Sequence, residues 1–261
     1  MKDIILFDMD GTLTPPRKKI KRDVVDALKE KSKDFDIGIV TGSDFDYVMQ
    51  QCKDLFSQSG IDPSRLHIFP CNGTKKYVWE YTQYTLAYSV DMIEKIGMLA
   101  YRKLLSTIVD SQSDIMMFYP TVPLSGTFFQ YRGSLLNWCP IGRIANQEQR
   151  EAWKKLDNDF KIREEYLKVL QEYLNKENIK LDVALGGSTS FDIFPVGWDK
   201  TYVMKHLDKY ANVFFVGDKC REGGNDKALY DLLQKNNASF ETTCPEETIE
   251  IISKISCKSP Q

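Results

Sequence analysis

The chain has 261 residues, of which 28% are charged and 42% hydrophobic, with a formal net charge of −2 at pH 7. That length can bury a substantial core as one large domain or two modest ones. The near-neutral charge gives no reason to expect nucleic acid or a membrane surface as partner, and no apolar run is long enough for a membrane span or a secretion signal.

In chain order, Asp3–Phe7 is a short apolar run that predicts a strand, and residues 22–34 carry Val24, Val25 and Leu28 at helical spacing. Ile37–Val40 predicts a second buried strand, followed by Thr41-Gly-Ser-Asp44 and a helical pattern through Val48, Cys52, Leu55 and Phe56. Leu66–Phe69 predicts a third. The middle of the chain reads differently. Ile115–Tyr119, Thr127–Arg132 and Leu135–Cys139 are strand-like and closely spaced, with Gly133-Ser134 as a tight turn. Helical stretches at 147–157 and 160–176 follow, then a strand near 180–185. Val213–Val216 resumes the first pattern, with helices near 225–235 and 246–255.

The β-α-β-α rhythm at both ends argues for a parallel sheet covered on both faces, and the segregated strands and helices between them for an α+β insertion. The expected fold class is therefore α/β: a Rossmann-like parallel-sheet core (residues 1–82 and 187–261) with an inserted α+β cap domain (83–186). Six cysteines without a C-x-x-C pair read as reduced thiols of a cytoplasmic protein. The two histidines, His67 and His206, are not spaced as metal ligands.

In an open parallel sheet, ligands sit beyond the carboxyl ends of the strands. Four chemically loaded stretches are expected at strand ends: Asp8-Met-Asp10-Gly-Thr, Thr41-Gly-Ser43-Asp44, Lys200 after Phe194-Pro-Val-Gly-Trp-Asp, and Gly217-Asp218 with Asn225-Asp226. Converging carboxylates are costly unless a cation neutralises them, and an oxygen-rich site without histidine suits Mg²⁺. Ser43 and Asp44 stand at an expected helix N-terminus, which favours a phosphate, and Lys200 adds a compact positive charge. Together these residues suit phosphoryl transfer, with Asp8 as nucleophile and Asp10 as general acid and base. Asp226 reads as support behind them.

These segments resemble the four motifs of the haloacid dehalogenase superfamily. FDMDGTLTPPR, GSDF, RGSLLNWCPIGR with NQEQR, GGSTSFDIFPVGWDK and GDKCREGGND resemble, more closely, the eukaryotic-type phosphomannomutases. The resemblance implies that Asp8, Asp10 (through its backbone carbonyl) and Asp218 bind Mg²⁺, and that Ser43 and Lys200 hold the transferring phosphoryl group. It implies that Arg17, Arg132, Arg143, Arg150, Ser190 and Asp192 bind the sugar phosphate. It further implies interconversion of mannose 6-phosphate and mannose 1-phosphate for GDP-mannose biosynthesis, a hexose 1,6-bisphosphate activator, and a homodimer joined through the cap. Arginine forks suit the second phosphate that a mutase must grip.

The chain departs from the family at Thr41, Cys71 and Ser125, and Tyr230-Asp231-Leu232 lacks the family's auxiliary cation loop, so one metal site is expected. The alternatives are a Mg²⁺-dependent sugar phosphatase on the same scaffold and a non-catalytic sugar-phosphate-binding protein.

Overall fold

The computed structural model of the protein describes residues 2–256. The chain forms two compact units. The first runs to Ser89 and resumes at Gly197; the second is Val90–Val196.

The first unit opens with β1 (Lys2–Phe7), α1 (Arg22–Lys31), β2 (Phe35–Val40), α2 (Phe45–Ser57) and β3 (Leu66–Phe69). It continues with β4 (Lys75–Glu80) and β5 (Gln83–Ser89). The remaining elements fall by sequence into the second unit up to Val196, and into the first beyond it. They are α3 (Met92–Ile96), α4 (Met98–Phe118), β6 (Phe129–Tyr131), β7 (Leu136–Trp138), α5 (Gln147–Phe160), α6 (Ile162–Lys176), β8 (Leu181–Gly186) and β9 (Ser190–Pro195). After the return come β10 (Tyr210–Gly217), α7 (Lys227–Gln234), β11 (Ser239–Glu241) and α8 (Pro245–Lys254).

The first unit is built on a seven-stranded sheet of order β11-β10-β1-β2-β3-β4-β5. Its first five strands are parallel, while β4 and β5 are antiparallel additions at one edge. β1 and β2 are buried along almost their whole length because helices cover both faces of the sheet. Val24, Val25 and Leu28 of α1 and Val48, Cys52 and Leu55 of α2 supply the helical side of that core. β1 lies between β10 and β2, so the loops leaving all three strands emerge side by side.

The second unit packs helices on one face of an antiparallel sheet of order β6-β7-β9-β8. Leu136 and Trp138 of β7 pair with Ile193 and Phe191 of β9, and Trp138 stacks on Phe191 with ring centroids 4.5 Å apart. The Trp138 indole donates to Gln112 Oε1 of α4 at 2.7 Å, and its ring meets Tyr166 of α6, so this is the face the helices cover. Asn137, between Leu136 and Trp138, belongs to the opposite face.

Two expectations need correcting. Ile115–Tyr119 is not a strand: Ile115–Phe118 is the last turn of α4, whose buried stripe is Leu104, Ile108, Ser111, Gln112 and Ile115. The insertion begins at Val90 and ends at Val196 rather than spanning 83–186. β5 pairs with β4 and so belongs to the first sheet, while β9 pairs with β7 and β8 and belongs to the second. Cys52, Cys71, Cys139, Cys220 and Cys244 carry free thiols; Cys257 lies outside the described residues.

Candidate active site

Asp8 is the first residue past β1, and its backbone N–H continues the ladder to the Val216 carbonyl of β10 at 2.9 Å. The carboxylate is buried and accepts a hydrogen bond from Lys200 Nζ. Lys200 opens the 3₁₀ turn Lys200–His206, is fully buried, and also donates to Asp226 Oδ1. Asp226 Oδ2 accepts from the Lys219 backbone N–H at 2.9 Å, so both of its oxygens are engaged.

Asp8, Asp218 and Asp226 each offer an oxygen, and these oxygens all lie within 4.8 Å of one another. Asp218 Oδ1 is buried and has no hydrogen-bond partner. The loop after β1 packs so closely on it that a Cβ at Gly11, where φ is +95°, would collide with the Asp218 carboxylate.

Crowding of this kind shifts the protonation equilibria. Burial raises the pKa of Asp8 well above the carboxylate range; Lys200 opposes the shift, and Asp226 and Asp218 add to it. Burial and the neighbouring Asp226 push Asp218 up to about 6. Burial acts to lower Lys200, but Asp226 and Asp8 overcome it and hold the ammonium charged. The all-oxygen donor set and the orphaned Asp218 oxygen fit a hard divalent cation. Asp226, spent on Lys200 and Lys219, positions the lysine.

The Asp10 carboxylate stands apart from the three clustered acids. Its Oδ1 accepts from the Arg17 backbone N–H at 3.0 Å and from the Tyr47 hydroxyl at 3.2 Å. Arg17 adopts φ +61°, a left-handed conformation rare for a non-glycine residue, and its amide is bonded to Asp10. Burial raises the Asp10 pKa against these two hydrogen bonds. Ser43 lies in the loop after β2. Its N–H donates to Thr41 Oγ1 at 3.1 Å, and its carbonyl accepts from the Cys71 N–H at 2.9 Å. The cap of α2 is Asp44, whose carboxylate accepts from the Tyr47 N–H at 3.0 Å, and not Ser43.

The second unit collects the other basic residues, apart from Arg17. Asp192 on β9 sits opposite Asn137 on β7, which sits opposite Gln130 on β6. Asn137 Nδ2 donates to Asp192 Oδ1 at 2.7 Å, and Arg143 Nη1 donates to Asn137 Oδ1 at 2.9 Å. Arg132 Nη1 lies 4.0 Å from Asp192 Oδ1. A Cβ at Gly186 would come within 2.9 Å of Asp192 Oδ2, so glycine makes room for that carboxylate.

Ser190 begins β9 and is buried. A capping box of Asn146 and Gln149 starts α5. Arg150 is buried there, not on a solvated helix face. It donates to the Ala145 carbonyl at 2.9 Å, the Arg143 carbonyl at 2.7 Å and Thr189 Oγ1 at 3.0 Å. Arg150 thus anchors the loop that carries Arg143.

A model of the eukaryotic phosphomannomutase family matches residues 23–258. The chain belongs to that family. Phosphomannomutase 1 of Dictyostelium discoideum is 32% identical over 257 residues, covering 97% of this chain and 96% of the relative. The phosphomannomutase of Schizosaccharomyces pombe is 34% identical over 257 residues, covering 97% and 94%. Among solved structures, an IMP-nucleotidase from Plasmodium falciparum superposes with a TM-score of 0.67 at 15% identity, covering 97% of this chain and 69% of that one. The last likeness carries the fold alone.

Within this phosphomannomutase framework the structure brings Asp8, Lys200, Asp218 and Asp226 together. In the second unit it links Arg132, Arg143, Arg150 and Asp192 through direct or shared contacts. Two participants escape a reading by motif. Tyr47 hides in a helical pattern, and Asn137 is one polar residue in Leu135-Leu136-Asn137-Trp138. A lone amide in an apolar strand is itself a signal, because a buried polar group needs partners.

Proposed function

We propose that this protein interconverts mannose 6-phosphate and mannose 1-phosphate through a phosphorylated Asp8 and a hexose 1,6-bisphosphate intermediate. The observation that carries this reading is the pairing, in one phosphomannomutase-family chain, of a buried Asp8–Lys200 contact with a separate arginine-bearing sheet face. A phosphatase needs the first; a mutase must also hold a phosphate that is not reacting.

In the forward direction the sugar's C1 hydroxyl attacks the phosphoryl group on Asp8, and Asp10 takes the hydroxyl proton. The bisphosphate turns around. Asp8 then attacks the C6 phosphate, and the departing O6 recovers the proton from Asp10. Lys200, aided by Ser43, neutralises the transferring oxygens. Mg²⁺ would be held by Asp8 and Asp218 with the Asp10 backbone carbonyl, lowering the charge repulsion between nucleophile and phosphate.

The proposal includes a hexose 1,6-bisphosphate that primes Asp8, a cytoplasmic location consistent with the free thiols, and a homodimer joined through the second unit. Leu99, Met117, Phe118 and Leu124 are exposed on that unit and suit such a contact. Among the described residues, no helix is long and apolar enough to cross a membrane.

The test incubates pure protein with mannose 1-phosphate, Mg²⁺ and trace glucose 1,6-bisphosphate, and follows products by ³¹P NMR. Isomer without matching inorganic phosphate is expected. Stoichiometric inorganic phosphate without isomer would replace the mutase by a sugar phosphatase, and no change of substrate would leave only a binding protein.

A further inference from the structure

We propose that Asp10 exchanges its proton through Oδ2, and that Tyr47 is the positioning residue that holds the carboxylate in that attitude. The inference rests on the phosphoryl-transfer reading above and deepens it.

Tyr47 reaches Asp10 because of where α2 begins. β1 and β2 are neighbours in the sheet, and the loop leaving β1 meets the first turn of the helix that follows β2. Asp44 caps that turn by accepting from the Tyr47 N–H at 3.0 Å, which fixes the main chain of Tyr47. The Tyr47 ring packs against the apolar core of the sheet, and its hydroxyl donates to Asp10 Oδ1 at 3.2 Å. A tyrosine has only two side-chain torsions, so packing the ring sets where the hydroxyl stands.

The same oxygen accepts from the Arg17 N–H at 3.0 Å. Donors from two parts of the chain thus converge on Oδ1, while among the described residues no hydrogen bond reaches Oδ2. An aspartate carboxylate turns about a broad, two-fold torsion, so a single donor leaves its plane loose. A second donor on the same oxygen narrows that range and makes the two oxygens unequal. Oδ1 is held, and Oδ2 keeps its lone pairs for a sugar hydroxyl.

The step that uses this geometry is transfer from the bisphosphate to Asp8. An Asp8 oxygen bonds to phosphorus, and the bond from phosphorus to the sugar oxygen breaks. That oxygen leaves with the electron pair and takes the proton from Asp10 Oδ2. A sugar alkoxide is a poor leaving group, so the rate depends on how the proton donor is aimed. Acetyl phosphate does not share that dependence, because acetate departs as a stable anion and needs no proton.

The experiment compares full-length native protein and Tyr47→Phe in Mg²⁺. For isomerisation of mannose 1-phosphate, kcat is expected to fall about tenfold while KM changes less than about twofold. Phosphorylation of Asp8 by acetyl phosphate, quenched and read by mass spectrometry, is expected to keep its native rate. In an Asp10→Ala background the same substitution should slow residual isomerisation less than about twofold, because its target is gone.

Equal slowing with acetyl phosphate would mean that Tyr47 shapes the Asp8 site as a whole, and would overturn the proposal. Native kcat in folded Tyr47→Phe, or a tenfold loss that persists without the Asp10 carboxylate, would overturn it too. Tyr47→Leu goes through the same comparisons in case the phenylalanine variant does not fold. Should acetyl phosphate fail to label a native protein that isomerises sugar, the Asp10→Ala comparison decides alone. A native protein that yields no isomer overturns the mutase reading itself, and this inference with it.

Discussion

Asp218 lies beside Asp8 and Asp226 with one buried oxygen that has no hydrogen-bond partner. Its pKa is pushed up to about 6 by burial and by Asp226, so in the metal-free protein the folded state takes up a proton more readily than the unfolded chain does. The sign follows. Ionised Asp218 opposes folding above pH 6, and the penalty fades as pH falls from 6 towards 4. Asp218→Asn is therefore expected to raise the melting temperature of metal-free protein at pH 7.5, by about 2–6 °C for 1–2 kcal/mol relieved. Millimolar Mg²⁺ should raise the melting temperature of the native protein and leave that of Asp218→Asn nearly unchanged, as measured by scanning calorimetry. An equal response to Mg²⁺ in both proteins would place the cation elsewhere. At this scale the acids were legible because Asp8-x-Asp10 and Gly217-Asp218 are local patterns at strand ends. Asn137 was not, because its partners Asp192 and Arg143 meet it only once β7 and β9 pair.

Asp36, buried on β2, shows what the sheet requires away from the catalytic loops. It pairs with Arg65 at 3.2 Å, accepts from the Tyr210 hydroxyl at 2.8 Å, and lies 3.3 Å from His67 Nε2. Burial alone would raise its pKa; hydrogen bonds from His67, Tyr210 and Arg65 more than reverse that and hold it low. A depressed carboxylate contributes stability above its unfolded value near 4, and that stability is lost as pH falls below it. Asp36→Asn is expected to destabilise the protein by about 2–4 kcal/mol at pH 7. It should also flatten the decline in urea stability between pH 4 and pH 2. An unchanged acid limb would show that Asp36 does not govern it.

The element scale also shows where local pattern and tertiary packing part. The runs for β1, β2, β3 and β10 were legible because parallel strands are buried on both faces. The last turn of α4 read as a strand because Met116, Met117 and Phe118 form a continuous apolar run with Ile115, yet they are exposed. Its true buried stripe passes through the polar Ser111 and Gln112, and Gln112 is accommodated because Trp138 donates to its oxygen and its NH₂ donates to the Pro140 carbonyl at 3.0 Å. The β4–β5 hairpin lay hidden for the opposite reason: an edge pair with neither face fully buried carries no strong alternation.

At the scale of the whole molecule, the chain leaves the first unit at Ser89 and returns at Gly197, so one polypeptide carries the acidic cluster of Asp8, Asp218 and Asp226 in one unit and the arginine-bearing sheet face in the other. A mutase depends on both at once. Its bisphosphate must turn around without escaping, because every escape leaves Asp8 without the phosphate needed for the next cycle. The grip on the non-reacting phosphate therefore governs how much priming the enzyme needs, as well as how tightly it binds sugar. Arg143 is the sharpest probe, since its guanidinium donates to Asn137 on the sheet and its main chain is held by Arg150. Arg143→Ala should weaken mannose 1-phosphate by about 1.5–3 kcal/mol, the size of a charged hydrogen bond. The concentration of glucose 1,6-bisphosphate needed for half-maximal isomerisation should rise by about tenfold or more, and free hexose bisphosphate should appear in solution as the intermediate escapes. Initial rates and products followed by ³¹P NMR across a bisphosphate series give both quantities. Weaker sugar binding with an unchanged bisphosphate requirement would mean that Arg143 helps the substrate enter but does not retain the intermediate while it turns.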